Sequence, residues 1–288
     1  MKKALIAALS LCMAICLIPA MSFANDGGGN EVEPNDEKSS ATVVEPGVFY
    51  DGVIDLNDYD CEDDYYTLTI QENGYFTVDF QMPAEVEADN INTPPNVEVF
   101  VQGKTDSIDE FDTEDSITSN KYSAVKGKKV YVKVSSFALF EGEEAPYSIR
   151  INTVADSTWE TEFNDTKGTA DVMSAVGKYY KGNLYGTDTG FGIITEDVDY
   201  WKFTAPSTGK YRFSFEKGSE DYEDDDIKGG WKVDLYLKGG TQSKHKMYNT
   251  GDTTSAKQYL RKGQIVYIKV DSYGNPNYVD YRLKATKL

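Results

Sequence analysis

The sequence predicts an all-β protein built as two tandem antiparallel β-sandwich domains. Two observations carry that expectation: the chain is written twice, and its matched blocks alternate apolar and polar residues with a period of two. "EVEPNDEKSSA" at 31–41 returns as "ETEFNDTKGTA" at 160–170. "EDDYYTLTI" then meets "DVDYWKFTA", "NGYFTVDF" meets "TGKYRFSF", "VEVFVQG" meets "VDLYLKG", and "GKKVYVKVSS" meets "GQIVYIKVDS". The offset between copies drifts from 129 to 136 and ends near 134, so the length differences fall between matched blocks. Loops around a kept core vary in this way.

Taken in chain order, residues 1–24 read as a signal peptide. Lys2 and Lys3 precede the apolar run "ALIAALSLCMAICLIPAM", and Ser22-Phe23-Ala24 offers small residues at a cleavage position. Bulky Leu11 and Ile15 stand before Cys12 and Cys16, which argues against lipid attachment there. The expectation is a secreted protein that keeps no membrane attachment after cleavage. A first sandwich is expected over 25–153, a linker over 154–159 and a second sandwich over 160–288. Short helices are expected around 36–43 and 165–175, each after an Asn-Asp pair suited to capping. Strands follow, in which Phe76, Val78 and Phe80 share one face and Val130, Val132 and Val134 another. Tyr211, Phe213 and Phe215 repeat the first set, and Val266, Ile268 and Val270 the second. Gly, Asn, Asp and Pro clusters separate these runs, as in a sandwich.

Charge narrows the function. Removing residues 1–24 takes two of the 29 basic residues and no acid, leaving 27 against 48 and a net charge of −21. Nucleic acid and anionic lipid call for the opposite sign. Cys61 alone remains after cleavage, so no internal disulfide forms, and its acidic neighbours Glu62 and Asp63 disfavour a thiolate.

The repeated acidic motif fits a metal site. In an extended chain Glu31, Glu33 and Asn35 project to one side, with Asp36 at the following turn; Glu160, Glu162, Asn164 and Asp165 repeat the set. A second acidic pair heads a later strand in each copy, Glu62 and Asp64 in the first and Asp197 and Asp199 in the second. All these donors are oxygens, which suits one or two Ca2+ ions per domain and does not suit zinc. Five carboxylates carry −5 alone, −3 with one calcium and −1 with two, so the assembled cluster repels itself without a cation. The alternative is that the Asn residues cap helices and the acids are solvated. The loops "AEVEADN" (84–90) and "SEDYEDDD" (219–226) lack the glycine and glutamate spacing of an EF-hand loop and read as solvated.

Glu-x-Glu-Pro-Asn-Asp, the Ala-containing segment after it, a Gly-initiated strand, the Asp-x-Asp-Tyr-aromatic strand, the Gly-aromatic strand and the late Gly-x-x-x-Tyr strand resemble the bacterial pre-peptidase C-terminal domain. The collagen-binding domain of clostridial collagenases is of the same group. The resemblance covers nearly the whole chain after residue 24 as two copies. It implies jelly-roll sandwiches, with calcium held between the amino-terminal acidic segment and the Asp-x-Asp strand. The ligands it implies are Glu31, Glu33, Asn35, Asp36 and Asp64, then Glu160, Glu162, Asn164, Asp165, Asp197 and Asp199. Phe163 departs from the motif's proline, and Glu62 from its first strand Asp.

No catalytic set is legible. His245 is the only histidine and reads as an exposed loop residue in "SKHKMY", so no histidine-based triad or zinc-protease motif assembles. A non-catalytic protein is expected. Residues facing away from the apolar strand faces include Tyr65, Phe100 and Tyr131 in the first copy and Tyr200, Tyr236 and Tyr267 in the second. They serve either as cross-strand packing or as an aromatic platform for an extracellular fibrous protein or polysaccharide. The leading expectation is a secreted calcium-binding protein that attaches to such a polymer or to a surface protein. Behind it stand an accessory module for a separately encoded secreted peptidase and, last, a glycosidase.

Overall fold

The computed structural model describes residues 28–55, 63–82, 95–112, 116–135, 144–184, 186–188, 194–217, 231–238, 240, 245–249, 253–255, 257–272 and 279–288. The expected signal peptide, Cys61, Glu62 and the acidic loops at 84–90 and 219–226 lie outside these residues.

The first half contributes β1 (Gly29–Asn30), β2 (Thr42–Val43), β3 (Tyr50–Asp55), β4 (Asp63–Thr69), β5 (Gly74–Gln81), β6 (Asn96–Val101), β7 (Asp109–Asp112), β8 (Ile117–Thr118), β9 (Tyr122–Ala124), β10 (Lys129–Ser135) and β11 (Glu144–Ala155). They form one sheet in the order β1-β3-β11-β5-β8, with β9 also on β5, and another in the order β2-β4-β10-β6-β7. The second half contributes β12 (Asp171–Met173), β13 (Tyr179–Leu184), β14 (Gly186–Asp188), β15 (Ile194–Glu196), β16 (Asp199–Thr204), β17 (Gly209–Lys217), β18 (Trp231–Leu237), β19 (His245–Asn249), β20 (Thr253–Thr254), β21 (Gln258–Leu260), β22 (Ile265–Ser272) and β23 (Val279–Lys287). Its sheets run β12-β16-β22-β18-β19 and β13-β23-β17-β20, with β21 on β17 and a separate β14-β15 ribbon.

Both sandwiches close over the alternating residues legible in the sequence. Val130, Val132 and Val134 of β10 are buried against Phe76, Val78 and Phe80 of β5, in one core. Val266, Ile268 and Val270 of β22 share the second core with Tyr211, Phe213 and Phe215 of β17. Gly127 and Gly263 occupy the same left-handed turn position before β10 and β22, with φ of 80° and 81°.

Three expectations are corrected. No helix occurs among the described residues. Residues 37–40 and 166–169 instead close single turns, Ser40 N to Glu37 O at 2.9 Å and Thr169 N to Thr166 O at 3.1 Å. The β-branched Thr42-Val43-Val44 and Val172 then favour extended chain. The principal strands pair antiparallel as expected, while the short β1, β2 and β12, on either side of the acidic motifs, pair in parallel with β3, β4 and β16. His245 opens β19 and pairs with Leu235, so its backbone belongs to a sheet and not to a loop. Phe100, expected to face outward, is buried at 6% exposure.

Residues 154–159 begin as the end of β11 and finish at Trp159, which is buried and packs at a tilt against Tyr75 with ring centroids 4.8 Å apart.

Candidate metal centres

Each acidic motif is irregular chain, with a bend at Glu33 or Glu162 and a cis peptide bond after it, tied to both sheets of its sandwich. Glu31 N donates to Asp51 O at 2.9 Å and Glu160 N to Lys181 O at 2.8 Å, in β3 and β13. Asn35 O accepts from Tyr65 N at 3.0 Å and Asn164 O from Tyr200 N at 3.1 Å, in β4 and β16. Anchored so at both ends, the motifs bring Glu31 and Glu33 to Asp64, and Glu160 and Glu162 to Asp199.

In the first centre, oxygens of Glu31, Glu33 and Asp64 lie within 4.8 Å of one another. Glu31 Oε1 accepts from Val53 N at 2.8 Å and Oε2 from the Tyr66 hydroxyl at 3.0 Å. The Tyr147 hydroxyl donates to Asp64 Oδ2 at 2.6 Å and lies 2.7 Å from that of Tyr66. The buried amide of Asn35 faces two Glu33 oxygens at 3.0 and 3.2 Å and Asp64 Oδ1 at 3.1 Å. With its nitrogen there the amide donates to all three. With its oxygen there it repels them unless a cation stands among them, and then it becomes a ligand. Asp36 is exposed and stands outside this group.

The second centre is larger and drier. Glu160, Glu162 and Asp199 form one group within 4.8 Å; Glu162, Asp165 and Asp197 form another, so Glu162 belongs to both. Glu160, Asn164 and Asp199 are fully buried. Glu160 Oε1 accepts from Asn183 N at 2.7 Å, and the Tyr281 hydroxyl donates to Asp199 Oδ2 at 2.6 Å. Both carboxylate oxygens of Glu162, Asn164 Oδ1 and Asp199 Oδ1 are buried without a hydrogen-bond donor. Such atoms carry a desolvation cost that a cation at their focus would offset. Burial, then the neighbouring Glu162 and Asp197 carboxylates, pushes the Glu160 carboxyl well above its ordinary range. Burial and then Glu160 and Asp197 do the same to Asp199, and burial and then Asp197 and Asp199 to Glu162. These buried acidic clusters could hold a metal ion.

Five contributors were not singled out in the sequence. Asp171 Oδ2 accepts from Thr161 N at 2.6 Å and Asn164 Nδ2 at 3.2 Å, while Thr42 takes the same place in the first centre through Val32 N at 3.0 Å. Asp171 lies in the stretch read as helical, which concealed it. Tyr147 and Tyr281 come from the last strand of each sandwich; the repeat of "YSIRI" as "YRLKA" is the signal that could have found them. Gly182 is also required, because a Cβ there would overlap the Glu160 carboxylate.

The aromatic residues Tyr65, Phe100 and Tyr131 lie on the β2-β4-β10-β6-β7 sheet, and Tyr200, Tyr236 and Tyr267 on its counterpart. The lysine following each Asn-Asp pair folds back over them. The Lys38 ammonium sits 3.4 Å from the Phe100 ring centroid, and Lys167 sits 4.2 Å from Tyr236 and 6.0 Å from Tyr267. The other five aromatics are half-buried. Each acidic motif thus touches both its carboxylate cluster and the aromatic face.

No family model matches the chain, and no curated protein matches it. Several solved structures are distantly similar to it. The pre-peptidase C-terminal domain of a Bacillus anthracis collagenase is 12% identical, covers 39% of this chain and 94% of its own, and superposes with a TM-score of 0.30. The tandem CBM51 modules of a family 98 glycoside hydrolase from Streptococcus pneumoniae are 13% identical over 83% of each chain, with a TM-score of 0.24. The CUB1-EGF-CUB2 segment of human MASP-1/3 is 7% identical, covers 82% of this chain and 99% of its own, and has a TM-score of 0.22. Likenesses this distant carry nothing about function.

Proposed function

We propose that this is a secreted, non-catalytic calcium-binding protein of two sandwich modules that attaches to an extracellular fibrous protein or polysaccharide. The observation that carries the metal reading is the grouping of Glu160, Glu162 and Asp199 within 4.8 Å, where Glu162 and Asp199 also keep buried oxygens without a hydrogen-bond donor. The donor set is carboxylate and amide oxygen throughout, and calcium accepts six to eight such ligands in a flexible shell. Magnesium holds its waters and an octahedral geometry, which suits a dry, carboxylate-crowded site less well. Glu31, Glu33, Asn35 and Asp64 would hold an ion in the first module; Glu160, Glu162, Asn164, Asp165, Asp197 and Asp199 would hold one or two in the second. The ion would neutralise the cluster and brace each motif between its two sheets. Attachment is supported by the equivalent aromatic faces, whose half-buried tyrosines offer apolar area and hydroxyls together.

Calorimetric titration of the chelator-stripped chain with calcium tests the metal reading, and absence of binding heat would reject it. Retention on insoluble collagen, cell-wall glycans and plant polysaccharides tests the attachment. Replacing Tyr236 and Tyr267 by alanine should abolish retention; retention unchanged by both replacements would leave those rings as sheet packing only.

A further inference from the structure

The two metal centres differ in their surroundings. Glu33 in the first is exposed, whereas its counterpart Glu162 has both carboxylate oxygens buried. The second centre also borders the other sandwich: Val101, Ile108 and Tyr122 of the first unit line a small cavity together with Glu162 and Phe163. Beside it, the buried Ser123 hydroxyl donates to Glu160 O at 2.8 Å and accepts from Glu162 N at 3.1 Å. Asn183, whose main-chain N–H orients the Glu160 carboxylate, donates its side-chain amide to Lys121 O at 2.6 Å. Lys104 adds its ammonium 3.6 Å from the Phe163 ring centroid. Strand register isolates the role of Ser123. It stands opposite Tyr75, and the matching position in the second unit, opposite Lys210, is Tyr259, which is 66% exposed.

We propose that the first sandwich completes the second metal centre, with Ser123 as a positioning residue that holds Glu160 and Glu162 in register for a cation. The proposal rests on the cation reading above. Ser123 touches no proposed ligand oxygen. It fixes the main chain on either side of Thr161, so the carboxylates of residues 160 and 162 leave the backbone at a set separation. Partners that orient metal ligands are worth about 10–100-fold in affinity. By linkage, whatever docking contributes to cation binding, the cation contributes to docking.

The test uses the full chain carrying Asp64→Asn, which disables the first centre, so that calcium titration reads the second alone. Adding Ser123→Ala should weaken calcium binding about tenfold or more, and Ser123→Thr, which keeps the hydroxyl, should restore it. Equal affinity with Ser123→Ala overturns the proposal and leaves the cation reading standing; no binding heat in Asp64→Asn itself, when the unmutated chain also gives none, overturns both. A second measurement needs no change at Ser123. In the Asp64→Asn chain, calcium should slow amide exchange in Tyr122–Ala124 of the first sandwich, and adding Asp199→Asn should remove that protection. Exchange there that ignores calcium, while calcium binds, likewise overturns it.

Discussion

The Tyr281 hydroxyl donates to Asp199 Oδ2 at 2.6 Å, and the Tyr147 hydroxyl donates to Asp64 Oδ2 at the same distance. A tyrosine of the last strand in each sandwich thus reaches across the core to brace an acid of the opposing sheet. Tyr281 also accepts from Trp201 Nε1 at 2.7 Å, so its hydroxyl links the apolar core to the carboxylate cluster. Burial, and then the Asp199 charge, drives the phenol far above its ordinary pKa, which keeps it a donor.

Tyr281→Phe should therefore leave Trp201 Nε1 and Asp199 Oδ2 short of partners. A loss of about 1–3 kcal/mol is expected for such buried groups. Urea denaturation in chelator should show it as a lower midpoint with an unchanged slope. An unaltered midpoint would mean that the hydroxyl braces nothing.

Calcium should stabilise the folded chain by about 2.7 kcal/mol at a hundredfold excess over its dissociation constant. Asp199→Asn should reverse the order of the melts: higher than the unmutated chain in chelator, because one repelling charge is gone, and lower in calcium, because a ligand is gone. Superimposable melts of the unmutated chain with and without calcium would leave no role for either centre.

The pH dependence follows from the direction of the shifts at Glu160, Glu162 and Asp199, all upward. Below the ordinary carboxylate values these groups hold their protons in folded and unfolded chains alike. As pH rises the unfolded chain ionises first, so the chelated protein should lose stability from the ordinary carboxylate range up through the raised values. Calcium must displace those protons, so its stabilising effect should grow across the same window. Melts at stepped pH, paired with and without chelator, check both slopes; a calcium effect that shrinks with rising pH contradicts the assignment.

Gly182→Ala should push a methyl group into the Glu160 carboxylate and remove the second centre while sparing the first. Gly52→Ala, at the matching position, would instead strike the Tyr66 and Tyr147 hydroxyls and should affect the first centre alone. Calcium stoichiometry by calorimetry separates the two variants. Full stoichiometry in both would refute the close packing.

The sequence by itself determined the two-unit organisation, the buried face of each principal strand and the oxygen chemistry of the acidic motif. These are local properties: an extended backbone alternates its side chains whatever lies beyond it, so Phe76, Val78 and Phe80 were bound to face one way. Only the tertiary structure decided which groups meet. Asp171, seven residues past Asn164 in a stretch that reads as helical, returns to that asparagine because its strand pairs in parallel with β16. Phe100 has the alternation of a surface residue yet is buried, with Lys38 of a distant turn lying across it. Glu33 and Glu162 occupy the same place in the repeat, but one is exposed and the other has buried carboxylate oxygens and borders a cavity shared with the neighbouring sandwich. The cost of burying a charge depends on the atoms packed around it, and those come from strands far away in the chain whose meeting no local spacing records.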